Sequence, residues 1–149
     1  MRITSTAFAD GESIPPKYTC DGHDLIPPLA FEEVPDAAVS LALVMDDPDA
    51  PGGTWDHWVV WNIPKEQRSI EEGKPPEGVV GRNSWGKNAW GGPCPPDRQH
   101  RYVFKLYALD SRLDLAGSAG KGDLERAMKG HILAEARFTG LYDRVSRSR

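Results

Sequence analysis

No stretch of this sequence is apolar enough to cross a membrane: none of its 149 residues belongs to a run near the about 18 apolar residues that a spanning helix needs. The N-terminus lacks the apolar centre of a secretory leader, so the expected location is the cytoplasm. Positive charge is scarce. Lys and Arg number 18 against 22 Asp and Glu, a net charge of −4. That balance gives no footprint for a phosphate backbone and argues against a nucleic-acid partner. The one basic cluster, Arg144-Val145-Ser146-Arg147-Ser148-Arg149, is a terminal run expected to be frayed and solvated. Only two cysteines occur, Cys20 and Cys94. Without a Cys-x-x-Cys pair no structural zinc site is indicated, and in a reducing compartment both are expected as free thiols. Cys20-Asp21-Gly22-His23 is half a metal site at most and reads as a turn on Asp21-Gly22.

Turn formers, by contrast, are plentiful: 15 Gly and 13 Pro. They break residues 11–36 into a loop-rich opening with short extended pieces at most. Three segments then read as strands. Val39–Met45 is apolar on both faces, as a strand inside a two-layer structure would be. His57–Ile63 is Trp- and Val-rich and stops at Pro64. His100–Asp110 is the third, with neither face strongly polar. Residues 65–81 and 82–99 read as loops. A helix signal begins near Asp123, a plausible N-cap, with Leu124, Met128 and Ile132 on one face. One or two short helices are expected between 121 and 138, with Gly130 inside, and "RFTGLYDR" as a short final strand. Strands first and a helix late, without βαβ alternation, predict a single mostly antiparallel β-sandwich domain over 1–149.

The chemistry-bearing residues gather at strand ends. Asp47 and Asp49 flank Pro48 after the first strand, His57 opens the second, and His100 opens the third behind Gly91-Gly92-Pro93. If the first two strands are antiparallel neighbours, two carboxylates, two imidazoles and a glycine turn meet at one mouth. Each has a plainer reading: a turn-starting Asp-Pro, a satisfied core histidine, a strand-edge residue, a tight turn. The five tryptophans, 55, 58, 61, 85 and 90, are expected in the core rather than on a ligand platform. Together the polar groups fit three chemistries. One is a metal site of two His and one or two Asp. Another is a hydrolase with an Asp-oriented histidine, for which Ser84 or Cys94 would have to serve as nucleophile without a Gly-x-Ser-x-Gly context. The third is a pocket for a small anion. There each Asp accepts from one ring nitrogen of a histidine and turns the far N–H toward the ligand, and the amides of Gly91-Gly92 complete a nest.

Two longer stretches carry a resemblance. "DDPDAPGGTWDHWVVWNIP" and "GGPCPPDRQHRYVFKLYALD", in that order, resemble the two signatures of the phosphatidylethanolamine-binding protein family. "IPPKYTCDGHDLIPPLAFEEVP" is similar to the family's opening segment. The match runs nearly end to end and points to the shorter bacterial and archaeal, Raf kinase inhibitor-like branch. It implies a Greek-key antiparallel β-sandwich with a pocket at one end for a phosphate-type anion or phospholipid head group, no cofactor and no common catalytic activity. By motif position it places Asp47, Asp49, His57, Pro93 and His100 on that pocket, with Tyr102 a further candidate. It implies a possible kinase or serine protease as protein partner, as for some family members; the chain itself would be a monomer or homodimer. The helix that covers the pocket in eukaryotic members has no counterpart here, which implies a more open pocket. The same resemblance implies a cis Ala50–Pro51 bond. A metal-dependent hydrolase built on the Asp/His cluster is the alternative.

Overall fold

The structure, a computed structural model, describes residues 1–144; the terminal basic run beyond Arg144 lies outside the described residues. Eight strands form two antiparallel sheets. The smaller contains β1 (Arg2–Thr4), β2 (Leu29–Glu32) and β5 (Ser69–Ile70), in that order. The larger contains β3 (Ser40–Asp47), β4 (Trp55–Pro64), β6 (Val79–Val80), β7 (His100–Leu109) and β8 (Ile132–Tyr142), ordered β6-β4-β3-β7-β8. After β6 the chain crosses back to lay β7 on the far side of β3, which is the Greek-key order. No helix in the described residues has the length and apolarity to cross a membrane.

The three strongest strands of the sequence are the centre of this sheet, and β3 is buried along its whole length. Alternation distributes its side chains between two apolar layers. Leu41, Leu43 and Met45 pack between the sheets with Phe31, Trp58 and Phe104. Ala42 and Val44 face outward, where Trp61, Leu124 and Met128 cover them. Burying such side chains stabilises by roughly 1.5–3 kcal/mol each.

Several local expectations need correction. The helix, α1 (Lys121–Met128), starts after Gly120, and Asp123 lies inside the first turn, accepting from the Gly120 N–H at 3.2 Å. Gly130 is beyond the helix end at φ 84°. That left-handed position stops the helix, so Ile132 opens β8 rather than extending the helical face. β8 is accordingly 11 residues long, not a short terminal strand. Residues 65–81 contain β5 and β6, each two residues, too short to show periodicity. β1 is three residues long and escapes detection for the same reason.

Two irregularities in the β3–β4 pairing matter more. Leu43 pairs with Val60 and Leu41 with Ile63, so Trp61 and Asn62 together face Ala42. Asn62 is at φ 55°, and its amide exchanges two hydrogen bonds with Leu113, of 2.8 and 2.7 Å. Met45 then pairs with Trp58 and Asp46 with Asp56, leaving His57 as the extra residue of a bulge. A bulge breaks strict alternation and re-aims the residue it contains. Asp56 therefore turns out toward Lys121 of α1, 2.8 Å away, while His57 turns to the inner face.

Candidate functional site

The inner face of β3, β4 and β7 ends in a cavity of about 620 Å³. Asp47, His57, His100 and Tyr102 all line it. β7 runs antiparallel to β3, hence in the direction of β4, so the beginnings of β4 and β7 share one end with the finish of β3. Four of the expected site residues thus meet where strand pairing alone would place them.

Their hydrogen bonds differ from the expected pattern. Asp47 is the organising acid. Its Oδ1 accepts from the Asp49 N–H at 2.8 Å, and its Oδ2 lies 2.6 Å from His100 Nδ1. The second carboxylate on His100 is Asp97, 2.6 Å from Nε2. Asp49 orients no imidazole. It accepts from the Arg101 backbone N–H and from Nε and Nη2 of the same residue, at 2.8–2.9 Å. These bonds to Arg101 hold its carboxyl well below the usual carboxylate range. The residue after a buried histidine on an exposed strand end was not an obvious partner for Asp49.

His57 donates from Nδ1 to the Gly91 carbonyl, 2.7 Å away. Its ring stands edge-on to Tyr102 and Trp85, with centroids 5.4 and 4.9 Å apart. Burial pushes its pKa down, against the opposing pull of the Gly91 carbonyl and the Asp47 charge. The neutral ring carries its proton on Nδ1 and has its lone pair on Nε2, and the residue lines the cavity.

The glycine turn is arranged differently from an anion nest. The Gly91 N–H donates to the His57 carbonyl, and the Gly92 N–H bonds the Asp24 carboxylate. Burial raises the Asp24 pKa, while the bond from Gly92 pulls the other way. Gly92 lies behind the cavity in a separate depression shared with Asp24. Pro93 is not on the cavity wall either; its carbonyl accepts from the Cys20 N–H at 3.1 Å.

Cys20 and Cys94 form a disulfide. The expectation of free thiols fails because the strand framework brings two loops together that the sequence holds far apart. The bond also removes Cys94 as a nucleophile. Ser84 Oγ accepts from the Asp56 N–H at 2.8 Å. Among the described residues no group of three or more His, Cys, Asp or Glu is arranged to hold a metal ion. His100 has a carboxylate on each ring nitrogen and His57 has a carbonyl on one, so the two-histidine facial triad is not assembled. The Ala50–Pro51 bond is trans, as are all described peptide bonds.

Sequence reasoning missed the aromatic walls. Trp58 and Trp61 are core residues as expected, but Trp55 and Trp85 stay 37% and 44% exposed and flank the cavity, in edge contact at 5.5 Å. Trp85 is carried by a loop that Asn83 organises. The Asn83 amide donates to the Ala89 carbonyl and accepts from the N–H groups of Trp85 and Lys87. The Asn-x-Trp-Gly stretch, with Gly86 at φ 75°, was the available signal for a built loop. No helix follows β8 among the described residues.

The fold is a two-sheet Greek-key sandwich whose core ends in a cavity lined by Asp47, His57, His100 and aromatic rings, a concave site of the kind that suits a small ligand. The chain belongs to the phosphatidylethanolamine-binding protein family, whose model matches residues 4–143. A UPF0098 protein of Methanothermobacter thermautotrophicus is 49% identical, over 97% of this chain and 99% of its own. Among solved structures, a phosphatidylethanolamine-binding protein homolog from Chlamydia trachomatis superposes with a TM-score of 0.94 at 42% identity, covering 96% of this chain and 97% of that one. Escherichia coli YbcL, described as a member of the mammalian family, gives 0.88 at 31% identity, covering 96% and 98%.

Proposed function

We propose that the protein works by binding rather than by catalysis, and that its cavity takes a small phosphate-type anion, free or as the head group of a phospholipid. The observation that carries this reading is His57. A strand bulge aims it into the cavity, and Gly91, accepting from Nδ1, fixes the tautomer that leaves Nε2 as the acceptor nitrogen. A phosphate monoanion can donate its own proton to that lone pair; a dianion needs His57 to take up a proton first. Binding of a fully ionised ligand is therefore linked to proton uptake and strengthens as pH falls. Trp55 and Trp85 offer apolar faces to whatever organic group the phosphate bears.

The test is a calorimetric titration of inorganic phosphate and phosphoethanolamine into the wild type and His57→Ala, at two pH values either side of neutrality. Loss of most of the affinity in the variant supports the assignment. Equal affinity of the two proteins sinks it.

A further inference from the structure

Asp97 is the second carboxylate on His100, reached from the loop whose Cys94 and Pro96 line the cavity. His100 has no exposed side-chain surface, and its two nitrogens each face a carboxylate at 2.6 Å, Asp47 on one side and Asp97 on the other. A neutral imidazole has one N–H and one lone pair, so the two contacts together require a second proton within the three-group chain. The two acids are not equivalent. Asp47 is 5% exposed and further tied by the Asp49 N–H. Asp97 is 45% exposed, belongs to the loop between the disulfide-bonded Cys94 and the start of β7, and reaches His100 only three residues on. Its other hydrogen bond on Oδ1 comes from the neighbouring Arg98 N–H.

We propose that Asp97 is a built-in competitor of the cavity's anionic ligand: it holds the His100 Nε2 position, and a phosphate-type oxygen gains that donor only by displacing it. This rests on the reading of the cavity as an anion site. Asp47 is the fixed acid that orients His100; Asp97 is the exchangeable one. The other groups around the ring leave the exchange to Asp97. Tyr102 stacks on His100 at 6.4 Å, Arg101 is engaged by Asp49, and Tyr142, the strand partner of His100, bonds Asp21. The apparent affinity is then the intrinsic affinity scaled by the fraction of molecules in which Asp97 has swung away. Such an acid sets a threshold, admitting only ligands that bind better than the protein's own carboxylate.

The experiment compares wild type, Asp97→Ala, Asp97→Asn and His57→Ala. Each is titrated with inorganic phosphate and with vesicles of phosphatidylethanolamine and phosphatidylglycerol, and the side-chain nitrogens of His100 are followed by NMR. The expected result is affinity at least tenfold higher in Asp97→Ala than in wild type. The His100 Nε2 resonance should move on phosphate addition. A gain with phosphate alone or with vesicles alone supports the proposal and identifies the source of the anion. A gain with neither, while His57→Ala still loses binding, overturns the competitor and leaves the anion site standing. Weaker binding by both Asp97 variants also overturns it, because Asp97 would then be holding His100 for the ligand. If no protein binds either probe, the competitor falls together with the anion-site reading.

Discussion

Cys20 and Cys94 are bonded to each other with their Cα atoms 5.4 Å apart, across a sequence separation of 74 residues. Closing a loop of that length removes unfolded-state entropy equivalent to about 4 kcal/mol. Reduction, or Cys20→Ser with Cys94→Ser, is expected to lower unfolding free energy by about 2–4 kcal/mol. Denaturant titration with and without reductant measures it. Thiol counting in denaturant should find no thiols before reduction and two after.

Lys121 should show how α1 is held. Its Nζ lies 3.0 Å from Asp46 and 2.8 Å from Asp56, and Asp46 also faces Lys105 at 3.0 Å. Burial works against the Lys121 charge, but the bonds to Asp56 and Asp46 outweigh it and raise the pKa. Lys121→Met leaves Asp56 without its cation and Asp46 with one instead of two. A loss of about 2 kcal/mol is expected, short of the 3–5 seen when a buried pair loses its only partner. Chemical denaturation of the variant reads this directly.

His57 makes stability depend on acid in a defined direction. Its pKa is lowered in the folded state, so the folded protein prefers the neutral ring and the unfolded chain takes up the proton first. The contribution is complete above the unfolded value of about 6.5 and is lost as pH falls below it. Unfolding free energies measured between pH 7.5 and 5 should decline in the wild type and decline less steeply in His57→Gln. An identical slope in both would remove His57 as the source.

Tyr18 titrates late. Burial comes first and the Glu72 hydrogen bond second in raising its pKa to about 12. Ultraviolet titration should show one tyrosine ionising well above the unperturbed value of about 10. Glu72→Gln should bring it part of the way down and no further, since burial remains.

Gly92→Ala distinguishes two reasons for a glycine. An added Cβ would lie 2.5 Å from the Tyr18 carbonyl oxygen and closer still to Asp24. The expected result is a loss of about 2 kcal/mol or more in global stability, rather than selective loss of ligand affinity in a stable protein. Thermal melts alongside phosphate titration separate the two.

Much of the framework was legible in the sequence. Val39–Met45, His57–Ile63 and His100–Asp110 became β3, β4 and β7 because buried central strands carry apolar residues on both faces. Asp47, His57, His100 and Tyr102 share one cavity because antiparallel pairing brings those strand ends together. The short strands were not legible, since two or three residues show no period, and neither was the end of α1, where a glycine that looked internal adopts a left-handed conformation.

Within the site, the sequence by itself determined which residue types stand at the cavity end of the sandwich, because strand alternation and turn chemistry are local properties. Which group bonds which was decided only by the tertiary structure. Asp49 goes to Arg101 rather than to an imidazole, Asp97 takes the second nitrogen of His100, Cys20 finds Cys94, and Trp85 leaves the core to wall the cavity. The Asp49–Arg101 and Cys20–Cys94 contacts join segments far apart in the sequence, while Asp97 reaches His100 from three residues before it. Their side chains pair by distance and angle over a few ångströms, and the spacing of residues along the chain does not encode that geometry.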